Sequence, residues 1–280
     1  MKQYKVAIIG NGMICNAAHI PAYKAMGDKV KIVAVADIRE EAAKETAERH
    51  GIPKYYVDPY KMLEEEKPDI ISVCTPNAYH KEYTLAGFRA GCHVVCEKPV
   101  AVTCADAEEM FNAAEKAGKH LFVIQSLRFT GNFKAAAGLA KSGCLGDIYY
   151  ADLNLVRRRG VPRWGMFHMA KENVGGAFCD LGVHMCDYLM SISGNPKMVS
   201  VSGSAVTRIV NKEKNIEFSN AESGAPTGLF TPRKFDMKEF DVEEFANGYI
   251  RLENGMTVTF KISWALNLPC LLYTSPSPRD

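Results

Sequence analysis

The first half of the chain alternates short apolar runs with stretches whose apolar residues recur at helical spacing. The apolar runs are rich in β-branched residues and have the length of buried strands. They are Val6–Ile9, Ile32–Ala36, Tyr55–Val57, Ile70–Cys74, His93–Cys96 and Leu121–Ile124. Strands that alternate with helices through short loops are typical of a doubly wound parallel α/β sheet, which we predict for residues 1–125.

Local start and stop signals divide the helical stretches. Asp58 precedes a proline at the first helical position, and Thr103 with Asp106 has the pattern of an N-cap. Gly51 and Gly91 follow the last periodic residues of two other stretches and predict helix ends there.

The pattern changes after a boundary near Gln125–Arg128. A helix is predicted near Arg128–Ser142, and from Ile148 the sequence alternates like a sheet with one solvated face. Asn254-Gly255 predicts a two-residue hairpin, and the polar stretch Asn211–Phe240 predicts a long loop. We therefore expect a second domain over residues 126–269. Its predicted strands are Ile148–Val156, Met198–Ile209, Asn247–Leu252 and Met256–Trp264.

Composition narrows the class of protein. The chain has 280 residues, 47% of them hydrophobic and 24% charged, which is typical of a globular protein with a substantial core. Its net charge of +2, from 34 basic and 32 acidic side chains, gives no electrostatic basis for binding nucleic acid or a membrane surface. The nine cysteines are interpreted as free thiols in a reducing compartment, so we expect a cytoplasmic protein. No two of them have CxxC spacing, which argues against a metal site.

The segment after the first strand carries the residues that hold a dinucleotide. Gly10 permits a tight turn off the strand, and Gly12 allows the backbone to approach a pyrophosphate. The following helix begins near Met13 and Ile14 and directs its free N–H groups at those phosphates. Cys15 stands where the third glycine of the motif is expected, so the motif is imperfect, although cysteine is small enough for close packing. A glycine turn in another kind of α/β protein is the alternative interpretation.

Asp37 ends the second predicted strand, where a carboxylate accepts hydrogen bonds from the adenosine ribose. We therefore predict NAD as the cofactor, with NADP less favoured. Ligands of such sheets lie beyond the carboxyl ends of the strands. Three polar segments fall at that edge: Asp37, Thr75-Pro76-Asn77 and Glu97-Lys98-Pro99.

A predicted helix over Gly175–Ile192 has an apolar face and a polar face. Asp180, His184 and Asp187 share the polar face, because residues three and four apart are neighbours on a helix. A solvated surface is the ordinary interpretation of such a face. The pair Gly175-Gly176 before it and the suitability of histidine for proton transfer near neutral pH favour a catalytic site instead.

Taken together, these motifs resemble the Gfo/Idh/MocA family, the relatives of glucose–fructose oxidoreductase and inositol dehydrogenase. The similar segments are GNGMIC, TPNAYH, EKPVAVT, RRRGVPRWG, GGAFCDLGVHMCD and FDVEEFANGYIRLENG. The resemblance implies a Rossmann domain followed by an α+β domain with a large, mostly antiparallel sheet.

The resemblance also implies a catalytic set of Lys98, Asp180 and His184. Oxidation of a secondary alcohol needs a hydride acceptor and a base for the hydroxyl proton. We expect His184 to be that base, Asp180 to orient it and favour its charged form, and Lys98 to stabilise the developing alkoxide. Both Asp180 and His184 would also contact the substrate.

Other residues are assigned to the cofactor or the substrate. Glu97 and Pro99 would shape the nicotinamide pocket, with Thr75, Pro76 and Asn77 beside it. His80 would line the cofactor channel, or it is a capped histidine at a helix terminus. Among Arg157, Arg158 and Arg159, we expect Arg157 to contact polar groups of the substrate rather than nucleic acid. Trp164 would stack on a sugar face, or it belongs to the core.

The chain departs from the family at its C-terminal end. Family members usually continue past a strand like Val258–Trp264, so we expect a truncated second domain in which this strand has few partners. Residues Cys270–Asp280 have no match and are predicted to be a non-native tail.

The sequence thus predicts an NAD-dependent oxidoreductase that transfers hydride between a sugar, inositol or related polyol and nicotinamide. An NAD-using glycosidase of the same family and a non-catalytic, cofactor-binding regulator are the alternatives. We expect a homo-oligomer, with a small molecule as substrate and neither nucleic acid nor membrane as partner.

Overall fold

A computed structural model describes residues 2–210 and 228–267 of the chain. In the first domain, six strands form one parallel sheet in the order β3-β2-β1-β4-β5-β6, which confirms the predicted doubly wound fold. The central β1 pairs with β2 on one side and β4 on the other. The strands are β1 Tyr4–Ile9, β2 Val30–Ala36, β3 Tyr55–Tyr56, β4 Ile70–Val73, β5 His93–Cys96 and β6 Leu121–Val123.

Five α-helices connect these strands, and the predicted caps hold two of them. The Asp58 carboxylate accepts hydrogen bonds from the backbone N–H groups of Tyr60 and Lys61, and the Thr103 hydroxyl accepts one from Asp106 N. These contacts satisfy N–H groups that have no partner within a helix. A π-helical turn, Cys15–His19, precedes the first helix. The helices are α1 Ile20–Ala25, α2 Glu40–His50, α3 Pro59–Glu66, α4 His80–Arg89 and α5 Cys104–Lys116.

The second domain contains a four-stranded sheet in the order β7-β10-β9-β8. Strand β10 runs parallel to β7 and antiparallel to β9, and β8 is antiparallel to β9. The sheet is therefore mixed, with antiparallel pairings in the majority. Its strands are β7 Tyr150–Val156, β8 Met198–Val206, β9 Phe245–Leu252 and β10 Thr257–Ser263, and its helices are α6 Gly131–Lys141, α7 Ala170–Asn173 and α8 Val183–Ser193.

The expectation that the last strand has few partners is wrong. Strand β10 is an inner strand with a complete ladder on each side, because the crossover after β7 brings that strand alongside it in parallel. Val258 and Ile262 of β10 and the following Trp264 are at most 1% exposed, and they form one core with Leu181 and Leu189. The hairpin before β10 is confirmed, but its loop has three residues rather than the predicted two, because Leu252 N bonds the Met256 carbonyl oxygen. Gly255 closes this loop with φ 84°.

The predicted helix over Gly175–Ile192 begins later, with a π-helical turn Phe178–Gly182 that leads into α8. The backbone N–H groups at its start have a partner far away in the sequence: the Glu243 carboxylate accepts hydrogen bonds from Gly176 N and Phe178 N. A Cβ on Gly176 would lie 1.9 Å from the carbonyl oxygen of Glu243, so this approach requires glycine.

The predicted loop 211–240 and the predicted tail 270–280 fall wholly or partly outside the described residues. The described part of that loop contains only one 3-10 turn, Met237–Glu239. Within residues 2–210 and 228–267, no helix has both the length and the apolar character needed to cross a bilayer.

Candidate active site

The parallel sheet brings the three predicted polar segments to one edge. Asp37 follows β2, Thr75–Asn77 follow β4, and Glu97–Pro99 follow β5. Strands β4 and β5 are neighbours, and β1 lies between β2 and β4. The glycine-rich loop after β1 therefore lies between the other loops.

The two glycines of that loop meet different surroundings. Gly10 has φ 92°, and a Cβ there would lie 2.6 Å from the carbonyl carbon and oxygen of Cys74. A Cβ on Gly12 would meet no atom within 4 Å, so the backbone there is open to a ligand. Cys15 is fully buried, and burial raises the pKa of its thiol to about 12. It therefore packs as a small, protonated side chain where a third glycine was expected.

The Asp37 carboxylate lies against this loop. Its Oδ2 accepts a hydrogen bond from Asn11 N at 2.8 Å, and its Oδ1 accepts one from Arg39 N at 2.9 Å. Within the described residues, two buried oxygens nearby, Asn11 Oδ1 and Thr75 Oγ1, have no hydrogen-bond partner. An open backbone at Gly12, a fixed carboxylate and these oxygens fit the pyrophosphate and ribose of a dinucleotide.

Lys98 joins the first domain to the second. Its Nζ donates hydrogen bonds to the carbonyl oxygen and to Oδ1 of Asp180, both at 2.9 Å. The second carboxylate oxygen, Oδ2, accepts a hydrogen bond from Trp264 Nε1 at 2.9 Å. Burial opposes ionisation of Asp180, but the Lys98 ammonium and the indole N–H hold its pKa below the usual value. The carboxylate is thus ionised and fixed by two donors.

His184 follows on the first turn of α8. Burial, and then the nearby Lys98 charge, lower the pKa of its imidazole to about 4, although Asp180, Glu97 and Asp187 oppose that shift. The imidazole is therefore neutral at pH 7 and able to accept a proton. Its buried Nδ1 has no hydrogen-bond partner within the described residues.

One expectation about this pair is wrong and the other is outweighed. In the described residues Asp180 does not orient His184 through a hydrogen bond, because its carboxylate oxygens bond Lys98 and Trp264. Asp180 does favour the charged imidazole, as expected, but burial and the Lys98 charge have the larger effect and lower the pKa of His184. The Asp187 carboxylate instead forms a bidentate ion pair with the Arg128 guanidinium, which donates to Oδ2 at 2.7 Å and to Oδ1 at 2.5 Å.

Behind Lys98 lies a buried polar chain that sequence reasoning missed. Glu97 Oε1 lies 2.9 Å from His19 Nε2, and Glu97 Oε2 accepts a hydrogen bond from Lys98 N. His19 Nδ1 lies 3.2 Å from the Ser72 hydroxyl, which also contacts Tyr23. Glu97 is therefore committed to protein contacts rather than open to the cofactor. The only local signal was the single serine within the apolar run of β4.

Both ring nitrogens of His80 also lie within hydrogen-bond distance of backbone carbonyl oxygens. His80 is fully buried at the start of α4, with Nδ1 2.7 Å from the carbonyl oxygen of Pro99 and Nε2 3.0 Å from that of Thr75. It ties the loop after β4 to the loop after β5, which favours the interpretation of His80 as a histidine held at a helix terminus. Asn77 likewise bonds Asn173 of the second domain.

The two predicted substrate residues differ in their surroundings. Arg157 donates a hydrogen bond to the Gly160 carbonyl oxygen at 3.3 Å, and its charge contributes to the lowered pKa of Asp180, so it lies near the site. Trp164 is only 9% exposed and makes an edge contact with Phe167, which favours the core interpretation.

Comparison with known families agrees with this geometry. Residues 4–125 match the oxidoreductase family with an NAD-binding Rossmann fold, and residues 133–272 match the GFO/IDH/MocA C-terminal domain. The chain belongs to the Gfo/Idh/MocA family of oxidoreductases, and its first domain is the NAD-binding Rossmann domain. Because both domains of the family are matched, the expected truncation is not borne out.

Two curated relatives are similar over much of the chain. D-glucoside 3-dehydrogenase of Escherichia coli is 35% identical over 264 residues, which are 94% of this chain and 71% of that protein. Myo-inositol 2-dehydrogenase of Thermotoga maritima is 30% identical over 190 residues, or 68% of this chain. The matched part spans about half, 55%, of that second relative.

Solved structures share the fold. The NAD-binding protein from Listeria innocua is 26% identical with a TM-score of 0.74, and the comparison covers 95% of this chain and 68% of that one. The aldose-aldose oxidoreductase from Caulobacter crescentus is 24% identical with a TM-score of 0.75, covering 95% and 72% of the two chains.

Proposed function

We propose that the chain is an NAD-dependent dehydrogenase that oxidises a secondary hydroxyl group of a sugar, inositol or related polyol. In this proposal, residues 1–125 hold the cofactor and residues 126–269 hold the substrate. The observation that carries it is the placement of an ion-paired lysine, Lys98, and a neutral histidine, His184, at the carboxyl edge of an NAD-binding sheet.

The cofactor would be held by the open backbone at Gly12, with Met13 and Ile14 following it and Asp37 at the ribose. Bound NAD supplies the acceptor for the hydride that leaves the substrate carbon. Asp37 is fixed by Asn11 N and Arg39 N, so its carboxylate needs no rearrangement to accept ribose hydroxyls.

The proton chemistry uses His184 of the second domain and Lys98 of the first. Neutral His184 removes the proton of the reacting hydroxyl group, because its lowered pKa keeps the imidazole unprotonated at pH 7. Lys98 donates a hydrogen bond to the same oxygen and stabilises the negative charge that develops there. Asp180, held by Trp264, keeps the ammonium directed at that place.

The names of the relatives support the substrate class. D-glucoside 3-dehydrogenase and myo-inositol 2-dehydrogenase are named for the oxidation of a glucoside and of an inositol. Arg157 lies close enough to Asp180 to bind a polar substituent of such a substrate. The NAD-using glycosidase stays the alternative reaction. A pure regulator would not need Lys98, Asp180 and His184 together.

A substrate screen tests the proposal. The protein is incubated with NAD and with inositols, aldoses and methyl glucosides, and the absorbance of reduced cofactor is followed. Net accumulation of NADH with at least one polyol supports a dehydrogenase. Release of the aglycone without net NADH identifies the glycosidase, because that reaction returns its hydride within one turnover. NAD binding without either product identifies the regulator.

Two further proposals concern the cellular setting of the protein and its oligomeric state. A cytoplasmic setting follows from the reduced cysteines, of which Cys15, Cys74, Cys92 and Cys96 are free and buried. A homo-oligomer is supported by the second sheet, whose strand β8 is exposed along almost its whole length. Light scattering of the purified chain measures the oligomeric state directly.

A further inference from the structure

The two domains also meet beside the Lys98–Asp180 contact, where α7 rests on the turn Asn77–Tyr79. Asn173 Oδ1 accepts a hydrogen bond from Asn77 N at 3.3 Å, and the Asn173 carbonyl oxygen accepts one from Asn77 Nδ2 at 3.0 Å. Both residues are buried, Asn77 with 8% and Asn173 with 4% exposure. The Tyr79 hydroxyl adds a hydrogen bond to Glu172.

These contacts hold one end of a short segment whose other end is held by Lys98. The segment runs from Asn173 to Asp180, and it contains the backbone that leads into the active-site helix. Asn77 follows β4 and Lys98 follows β5, and these strands are neighbours in the parallel sheet. Two adjacent loops of the first domain therefore fix both ends of the segment.

The segment begins with a backbone conformation that valine rarely adopts. Val174 has φ 70° and ψ −31°, in the region where a β-branched side chain is disfavoured. Its side chain is 43% exposed, so burial does not offset the strain. Hydrogen bonds flank the strained residue on both sides, from Asn77 to Asn173 and from Gly176 N to the Glu243 carboxylate. Val174 N itself donates to the Ala170 carbonyl oxygen at 2.7 Å.

We propose that Asn173 is a positioning residue for the reaction. Its hydrogen bonds with Asn77 hold Val174 in the strained conformation and so place Asp180 against Lys98. Without them, Val174 relaxes to an ordinary conformation and Asp180 moves away from the ammonium. The effect on turnover rests on the proposed function, but the separation of Lys98 from Asp180 is measurable without a substrate.

Acylation of Lys98 tests the structural step. The full chain and its Asn173→Ala variant are treated with limiting acetic anhydride, and modification of Lys98 is quantified by mass spectrometry against the exposed Lys44. We expect Lys98 to react roughly threefold or more faster in the variant, because its Nζ is no longer held against the carbonyl and carboxylate oxygens of Asp180 and is freer to meet the reagent. Asn132→Ala, at an exposed position in α6, is the matched control and should react like the parent.

A second substitution separates positioning from general damage. In the Asn173→Ala background, Val174→Gly removes the strain, because glycine adopts positive φ readily. We expect it to return Lys98 labelling towards the parental rate. Unchanged labelling in Asn173→Ala, or no recovery on adding Val174→Gly, overturns the proposal. If Asn173→Ala does not fold, Lys98 labelling is measured on Asn173→Ser, alone and combined with Val174→Gly. The same two outcomes, unchanged labelling or no recovery, then overturn the proposal.

The kinetic measurement depends on an identified substrate. The Asn173→Ala variant should lose roughly ten- to a hundredfold in kcat, as expected when reacting groups are misplaced, while its affinity for NAD stays within about twofold. An unchanged kcat overturns the inference. If the parental chain oxidises no polyol, the proposed function fails, and the labelling experiment still decides the role of Asn173.

Discussion

Trp264 Nε1 donates a hydrogen bond to Asp180 Oδ2 over 2.9 Å, and this contact fixes the orientation of the Asp180 carboxylate. Trp264 is fully buried just after β10, on the core of the second domain. Because the indole N–H has taken Oδ2, the other oxygen of Asp180 faces Lys98. Asp180 therefore pairs with the lysine, and within residues 2–210 and 228–267 His184 has no hydrogen bond to a carboxylate.

We predict that Trp264→Phe lowers kcat roughly tenfold, or about 1.4 kcal/mol, since a hydrogen bond to the Asp180 carboxylate is lost and such a bond contributes at least about that much. The aromatic ring is kept, so the core should survive the change. Trp164→Phe is the matched control, because Trp164 Nε1 has no hydrogen-bond partner in the described part of the chain. Steady-state kinetics of both variants check this, and equal losses in the two would contradict it.

We predict that Lys98→Met, or His184→Ala, reduces turnover by roughly 10²–10⁴-fold, as expected when a positioned proton-transfer or charge-stabilising group is lost. The contacts expected to hold the pyrophosphate and ribose lie at Gly12 and Asp37, so NAD binding should largely persist. Turnover and cofactor titration are measured on each variant. Near-parental turnover in either one would remove that residue from the proposed catalytic set.

The pH dependence should reflect the lowered pKa of His184. The imidazole, whose buried Nδ1 lacks a hydrogen-bond partner in the described part of the chain, stays neutral down to about pH 4. The value of kcat/KM should therefore not fall near the ordinary histidine pKa of 6.5. A decrease centred near 6.5 would show that another group is the base, or that His184 is solvated in the working enzyme.

The same lowered pKa makes folding stability depend on pH. Between pH 6.5 and about 4 the unfolded chain binds a proton at His184 that the folded chain does not, so stability should rise with pH across that window. Replacing His184 with Gln should make the denaturation midpoint less sensitive to pH there. Chemical denaturation at several pH values measures the slope, and an identical slope in the variant would contradict the assignment.

We predict that NAD is preferred over NADP roughly tenfold or more, or about 1.4 kcal/mol. Asp37 places a carboxylate where NADP carries its 2′-phosphate, and the like charges repel. Arg39 Nε lies 3.7 Å from the same carboxylate and would soften the preference. Catalytic efficiencies with both cofactors measure it. Asp37→Ser should narrow the difference, and equal efficiencies in the parental protein would withdraw the role of Asp37.

The sequence by itself determined the first domain and the edge at which its ligands bind. Buried parallel strands are continuous apolar runs, and caps such as Asp58 and Thr103 act within a few residues, so local sequence carries this information. The order of loops then follows from the rule that parallel strands end at one edge. Gly10, Asp37 and Lys98 were located in this way.

Only the tertiary structure decided which groups meet. Trp264 reaches Asp180 across 84 positions of sequence, Glu97 reaches His19 across 78, and Asn77 reaches Asn173 across 96. No periodicity or local motif encodes such pairs, because they form when separate elements pack. Helix spacing placed Asp180 beside His184. The packing of β10 and of the loop after β5, however, brought Trp264 and Lys98 into hydrogen bonds with the Asp180 carboxylate. The charge state of His184 followed from that burial.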